Sequence, residues 1–310
     1  MGHSSGLLPA MLLSAALVAG SAGPDPRADP RGGAASRGAV PAAATATVLI
    51  GAGDIADCAG SGDSRTLALL QRFPGRVFTL GDNAYPNGSR ADFARCYEPT
   101  WGKVKDRTRP VLGNHDYRSE GGAPYFDYFG PAAGPRGKGY YSYDVGAWHV
   151  VVLNTNCASV PGGCGPGSAQ QRWLSADLAG AGSCTVAMTH HPQFSSAKIH
   201  PPTTQTLPLV RVLYDAGVEL LLSGHDHAYE RFAPQTPAGR PDPGRGIRQI
   251  IAGTGGAELH PFGPVAANSE RRDNHTLGVL RLTLRPGAYR WDFLPVAGET
   301  FTDSGTGTCH

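Results

Sequence analysis

The sequence predicts an α/β fold, and three observations carry the prediction. Short apolar, β-branched runs recur along the chain, each of strand length, roughly four to eight residues. Helix-like segments separate several of them. Hydrophobic residues make up 40% and charged residues 17% of the 310, so a substantial core can form.

In chain order, Leu7 to Ala19 is an apolar stretch too short to span a bilayer, and small residues follow it. Residues 1–22 therefore read as a signal peptide, cleaved after Gly20 or Ala22. Residues 23–45 are rich in Pro, Gly and Ala and lack an apolar period, which predicts a flexible linker. The run "TATVLIGAGD" then stops at Asp54, and the helix-like "SGDSRTLALLQRF" follows. "RVFTLGDNAY" stops at Asp82 and Tyr85, and "RPVLGNHD" at Asn114, His115 and Asp116. A second helical segment, "SAQQRWLSADLAG", precedes "CTVAMTHHP", which ends at His190 and His191. A third, "TLPLVRVLYDAG", precedes "VELLLSGHDH", which ends at His225 and His227. This alternation predicts substantially parallel strands. The tail alternates apolar and polar residues, which predicts two closing strands, Gly278 to Leu284 and Ala288 to Val296, around an "RPG" turn.

A net charge of +2 is too mild for a nucleic-acid partner or a basic membrane-binding surface. The 6 cysteines all follow the apolar N-terminus, and their even count predicts disulfides in an exported chain. Cys157 and Cys164 are near enough to close a small loop, and Cys309 would staple the C-terminus; the pairing stays open. The chain is expected to be secreted or extracytoplasmic, with no stable membrane span. Oligomeric state is not legible.

Strand ends are where open α/β sheets bind ligands. Here they deliver Asp54, Asp82, Tyr85, Asn114, His190, His225 and His227, oxygen and nitrogen donors suited to hard or borderline cations. Of 11 histidines, His115, His190, His191, His200, His225 and His227 lie in or just after these motifs. A single tetrahedral zinc site needs about three or four ligands, so this donor set suits two metals better than one. His149 reads as a packed histidine, and Tyr229 and Arg231 as structural residues packing the turn after the last of these strands, in preference to phosphate contacts. Tyr125, Phe126, Tyr128 and Phe129 read as core or pocket wall.

The order GD…GDxxY…GNHD…H…GHxH resembles the calcineurin-like metallophosphoesterase superfamily. With Tyr85 three residues after Asp82, it is most similar to purple acid phosphatases. The resemblance implies a β-sandwich of two mixed sheets flanked by helices (αββα), with a dinuclear metal site at the strand C-terminal ends. It implies that Asp54, Asp82, Tyr85 and His227 hold a first metal, Fe(III), and that Asp82 bridges. Asn114, His190 and His225 would hold a second metal, a divalent Fe, Zn or Mn. The His-x-Pro pattern picks His190 over His191 as the ligand. His115 and His200 would be catalytic and face the substrate. The first motif departs from the usual Asp-x-Gly or Asp-x-His, reading Asp54-Ile55-Ala56, and Asp116 stands where Glu is commoner. Asp54 comes too early for the N-terminal β-sandwich of the plant enzymes, so residues 46–310 are expected to form one catalytic domain.

Two cations would acidify a bridging water to hydroxide and clamp the phosphoryl oxygens for in-line attack. The expected reaction is hydrolysis of a small-molecule phosphomonoester. Alternatives are a phosphodiesterase or nucleotide hydrolase on the same site, and a non-catalytic secreted binding module.

Overall fold

Strands that deliver ligands to one place must end level, and the chain achieves this in two sheets. The computed structural model describes residues 46–182, 184–200 and 204–310. The expected signal peptide and linker lie outside the described residues. The first half runs β1 (Thr47–Ala52), α1 (Gly62–Arg72), β2 (Arg76–Thr79), α2 (Arg90–Asp92), β3 (Thr108–Arg109), α3 (Ala123–Phe129), β4 (Tyr141–Val145), β5 (Trp148–Val152) and α4 (Ala169–Leu178). The second runs β6 (Thr185–Met188), α5 (Leu207–Asp215), β7 (Leu220–Ser223), β8 (Tyr229–Phe232), β9 (Arg248–Ala252), β10 (Ser269–Asp273), β11 (Gly278–Arg285), β12 (Ala288–Pro295) and β13 (Asp303–Thr308).

One sheet has the order β13-β12-β11-β1-β2-β3 and the other β10-β8-β9-β7-β6-β5-β4. The strands that end in candidate ligands are parallel as expected. Ala52 pairs with Thr79 across β1 and β2, and Met188 with Leu222 across β6 and β7, so each pair ends level. The rest is more antiparallel than the alternation predicts. β4, β8, β10 and β11–β13 all pair antiparallel, several of them through short hairpins that need no crossover helix.

Side-chain alternation along each strand sorts the apolar residues into layers. Leu49, Phe78, Val186, Met188, Leu220, Leu222, Leu280 and Leu282 form a core between the sheets. Ile50 and Val77 face the other way, against Leu67 and Leu70 of α1 and Tyr125, Phe126 and Phe129 of α3. Ala187 and Leu221 likewise face Leu174 of α4 and Leu209 and Leu213 of α5. The result is the αββα sandwich. The two expected closing strands are β11 and β12; the third, β13, has no apolar pattern to announce it. Its Gly305 and Gly307 lie under Trp291 and Tyr289, where any side chain would collide with the rings.

The disulfides are Cys58–Cys96, Cys157–Cys164 and Cys184–Cys309. The second closes the small loop, and the third fixes the C-terminus to the start of β6. A link across 125 residues removes denatured-state entropy worth on the order of 4–5 kcal/mol. Tyr229 and Arg231 are structural as expected: both donate to Asp303, at 2.7 and 2.6 Å, and so join β8 to β13.

His149 has more partners than a packed strand residue. Its Nδ1 lies 2.8 Å from Asp144 Oδ1 and its Nε2 2.9 Å from Asp177 Oδ2. Only the imidazolium donates from both nitrogens. Burial works against that charge, but the two carboxylates outweigh burial and raise the pKa above its ordinary value. A raised pKa stabilises the fold fully below the unfolded value of about 6.5, and the contribution is lost as pH rises through the folded pKa. His149→Gln should therefore lower the melting temperature below about pH 6.5 and change it progressively less in more alkaline buffer. Melting curves at several pH values read this directly, and a pH-independent difference would show that the charge plays no part.

Candidate metal centre

Every candidate ligand emerges where a strand stops. Asp54 follows β1, Asp82 and Tyr85 follow β2, and Asn114 follows β3. His190 follows β6, and His225 and His227 follow β7. Three of these bends use the left-handed backbone region: Asp54 at φ 60°, Asp82 at φ 49° and His225 at φ 70°. Non-glycine residues hold that conformation at a cost of roughly 1 kcal/mol or more, and it concentrates at functional sites. Cross-loop hydrogen bonds keep it in place. Asp54 N–H donates to Gly81 O at 3.0 Å, Gly224 N–H to His190 O at 3.0 Å, and His225 N–H to Asp54 Oδ2 at 2.8 Å.

The seven side chains converge in two groups that share one carboxylate. In the first, Tyr85 Oη lies 3.1 Å from Asp54 Oδ1, 3.1 Å from Asp82 Oδ2 and 3.0 Å from His227 Nε2. In the second, His190 Nε2 lies 2.9 Å from Asn114 Oδ1, 3.4 Å from Asp82 Oδ1 and 3.2 Å from His225 Nδ1. Asp82 thus turns one oxygen to each group. Metal bonds of about 2.0–2.2 Å place neighbouring ligand atoms about 3–3.5 Å apart, which is the spacing found here. Asp54, Asp82 and His190 are all buried. Backbone carbonyls occupy the far nitrogens of two imidazoles: His190 Nδ1 meets Leu80 O at 2.7 Å and His227 Nδ1 meets Glu258 O at 2.6 Å. Each Nε2 is left turned towards the cluster, the arrangement of metal-binding histidines.

The family model for calcineurin-like phosphoesterases matches residues 47–229, more than half of the chain. The chain belongs to the calcineurin-like phosphoesterase family. Among curated proteins it is 26% identical over 200 residues to probable purple acid phosphatase 20 of Arabidopsis thaliana, covering 54% of this chain and 43% of that one. It is 33% identical over 103 residues to purple acid phosphatase 22 of the same plant, covering 30% and 22%. The chain spans less than half the length of these relatives. In fold it is similar to a purple acid phosphatase from yellow lupin (Lupinus luteus) seeds, with TM-score 0.72 and 19% identity over 86% of this chain and 54% of that one. It is also similar to GAP50, the anchor in the inner membrane complex of Plasmodium, with TM-score 0.63 and 13% identity over 86% and 90%.

The electrostatics of the site explain why its donor set fits a cation. Burial disfavours charge on His190, yet Asp82 beside it pushes the imidazole up to about 9. Burial would raise the Asp82 carboxyl, but His190 outweighs it and holds Asp82 well below the usual carboxylate range. Burial and the neighbouring His190 drive His225 far down, so this ring is neutral and acceptor-capable. Burial, then Asp54 and Asp82, hold Tyr85 as a phenol. Tyr85 O–H therefore donates in the first group and the His190 imidazolium in the second, each amid several acceptors. Positive charge must come either from a proton, as on His190, or from metal ions.

His115 and His200 sit on the open side, with side chains 20% and 33% exposed. His115 N–H donates to Asp82 Oδ1 at 2.7 Å, and its Nδ1 meets Pro86 O at 2.7 Å, so Nε2 faces the site. The His200 ring stacks on His225 at 4.2 Å. His191 packs against the rings of His190 and His225, at 4.9 and 4.4 Å, and its nitrogens lie near enough to theirs to share a metal, while its Nδ1 meets Thr155 Oγ1 at 2.9 Å. Asp116 accepts from Gly113 N–H, Asn83 N–H and the Asn83 amide, tying two ligand loops together. One residue escaped the sequence reading. His260, in "ELHPFGP", stacks on His227 at 3.9 Å, and it lies far from every strand end that marked the others.

Gly81, at φ 89°, shows how little space this arrangement leaves: a Cβ there would strike the His190 ring. Gly81→Ala should displace His190 from Leu80 O and weaken metal binding about 10–100-fold, the usual cost of disturbing a ligand's support. Calorimetric zinc titration of the two proteins measures it, and equal affinities would show that the tie to Leu80 is dispensable.

Proposed function

We propose that this chain is an exported hydrolase that cleaves phosphomonoesters at a dinuclear metal centre, with residues 46–310 as its catalytic domain behind a signal peptide (1–22) and a linker (23–45). The observation that carries the proposal is Asp82, whose two oxygens face two separate donor groups. Asp54, Asp82, Tyr85 and His227 would hold Fe(III), and Asp82, Asn114, His190 and His225 a divalent Fe, Zn or Mn. When bound, the two ions supply an acidified water as nucleophile and neutralise the phosphoryl oxygens. His115 and His200 contact the phosphoryl group and stabilise the charge that develops on it or donate a proton to the leaving oxygen. The P–O bond to the leaving group breaks, and the products are an alcohol and phosphate.

Next to Asn114 and His191 lies a cavity of about 360 Å³, lined also by Thr155, Asn156, Ser159 and Gln205. None of these side chains carries a full charge, which favours a neutral leaving group over a second phosphate. Export is supported by the disulfide pairing of every described cysteine. No described helix is long and apolar enough to cross a membrane.

The metal-loaded chain should hydrolyse a chromogenic phosphomonoester faster than the matching diester, and a chelator should abolish turnover. Diester turnover alone would make the protein a phosphodiesterase, and neither activity with any metal would favour a binding module. Asp82→Asn should cut monoester turnover by about 10²-fold or more, since it removes the shared anion. Tyr85→Phe should abolish the visible phenolate-to-iron absorption of the iron-loaded chain while leaving the fold intact. A coloured Tyr85→Phe protein would remove Tyr85 from the ligand set.

A further inference from the structure

Asp226 lies between the two ligand histidines of the "GHDH" turn and is only 2% exposed. Neither of its carboxylate oxygens has a hydrogen-bond partner. Leaving a buried carboxylate unpaired is expensive, and native proteins rarely do so without a reason. The His200 ring sits beside it in the same condition: its Nδ1 is buried without a hydrogen bond, 3.5 Å from Asp226 Oδ1. The rest of that side chain is a third exposed and lies over His225. A buried donor edge and a buried acceptor therefore face each other across a gap that a small rotation of the ring closes.

We propose that Asp226 is a positioning residue for His200. Its carboxylate accepts Nδ1–H, fixes the ring as that tautomer and turns Nε2 towards the phosphoryl group. The inference rests on the reading of His200 as a substrate-facing residue of the proposed hydrolase. Another nearby carboxylate is already engaged. Glu230 accepts from Ser196 N–H, Ser196 Oγ and Ser269 Oγ, and so anchors the segment that leads to His200. Lys198 N–H donates to Pro261 O at 3.2 Å and fixes the same segment closer to the ring. The backbone is thus held by Glu230 and Pro261, and orientation of the imidazole itself falls to Asp226.

The test uses the full chain loaded with zinc and labelled with ¹⁵N at histidine, as wild type, Asp226→Ala and Asp226→Asn. Long-range proton–nitrogen spectra show which ring nitrogen of His200 carries the proton, with His200→Gln supplying the assignment. Wild type should hold the proton on Nδ1. Asp226→Asn, whose amide oxygen still accepts, should retain that tautomer, and Asp226→Ala should lose it. Monoester kinetics should show a kcat lower by about 10–100-fold in Asp226→Ala, with KM and zinc content unchanged. Adding Asp226→Ala to His200→Gln should cost nothing further. One tautomer throughout the series, additive kinetic losses, or loss of zinc from Asp226→Ala would each overturn the proposal. A wild-type chain that hydrolyses no ester would refute the hydrolase reading, while the tautomer comparison would still decide the pairing.

Discussion

The upper edge of the sandwich is organised around one buried carboxylate with two destinations. Asp82 is 2% exposed, and its oxygens point at different partners, Oδ2 at the Tyr85 hydroxyl and Oδ1 at the His190 imidazole. Burying such an anion without partners would cost several kcal/mol. The chain answers with a backbone N–H from His115 and with the His190 imidazole, whose pKa rises in response. Despite burial, His227 likewise has its pKa raised by Asp54, whereas the His225 ring is neutral and keeps a lone pair. Metal ions bound here would take the place of the protons these imidazoles carry. Metal binding and local stability are therefore one property, because ions that relieve this crowding bind the folded chain alone.

The crowding also explains why both sheets are needed. Asp54, Asp82, Tyr85 and Asn114 belong to the sheet of β1, β2 and β3, whereas His190, His225 and His227 belong to the sheet of β6 and β7. The site straddles the seam, so distances within it are set by how closely the two sheets pack. At the seam their backbones come into near contact. A Cβ on Gly224 would meet Asp54 Oδ2 at 2.7 Å and Leu80 O at 2.7 Å. Below the seam, Leu80, Met188 and Leu222 fill the space between the sheets. A volume change in that core shifts one set of ligands against the other, and ångström-scale errors are what such sites tolerate least.

This division between local and long-range causes marks what could be read from the sequence. The parallel strands and the three flanking helices were legible from apolar runs of strand or helix length, and the side chains that meet at the strand ends from the polar donor that follows each run. The Cys157–Cys164 pair was legible by proximity. Features made by contacts distant in sequence left no such trace. β13 carries Gly and Thr where a strand usually carries apolar residues, since the rings of Trp291 and Tyr289 cover it. Of the two carboxylates around His149, Asp177 comes from a helix 28 residues further along the chain. His260 belongs to a loop that meets the site only after β9 has crossed the sheet. Asp226 was visible within its motif, but burial and the absence of partners gave it meaning.

The strained backbone at the candidate ligands is likewise held by distant contacts. Asp54, Asp82 and His225 all occupy the left-handed region, and aspartate tolerates it better than histidine does. A local preference therefore accounts for the first two bends but less well for the third. What holds His225 is its own N–H, which donates to Asp54 Oδ2, the oxygen that does not meet Tyr85. Asp54 thus uses one oxygen in the donor cluster and the other to clamp the opposite sheet's ligand loop. Its removal would release two strained bends at once, one on each side of the seam. Substitution at Asp54 would act on the clamp and on the candidate metal contact together, because both end on the same carboxylate.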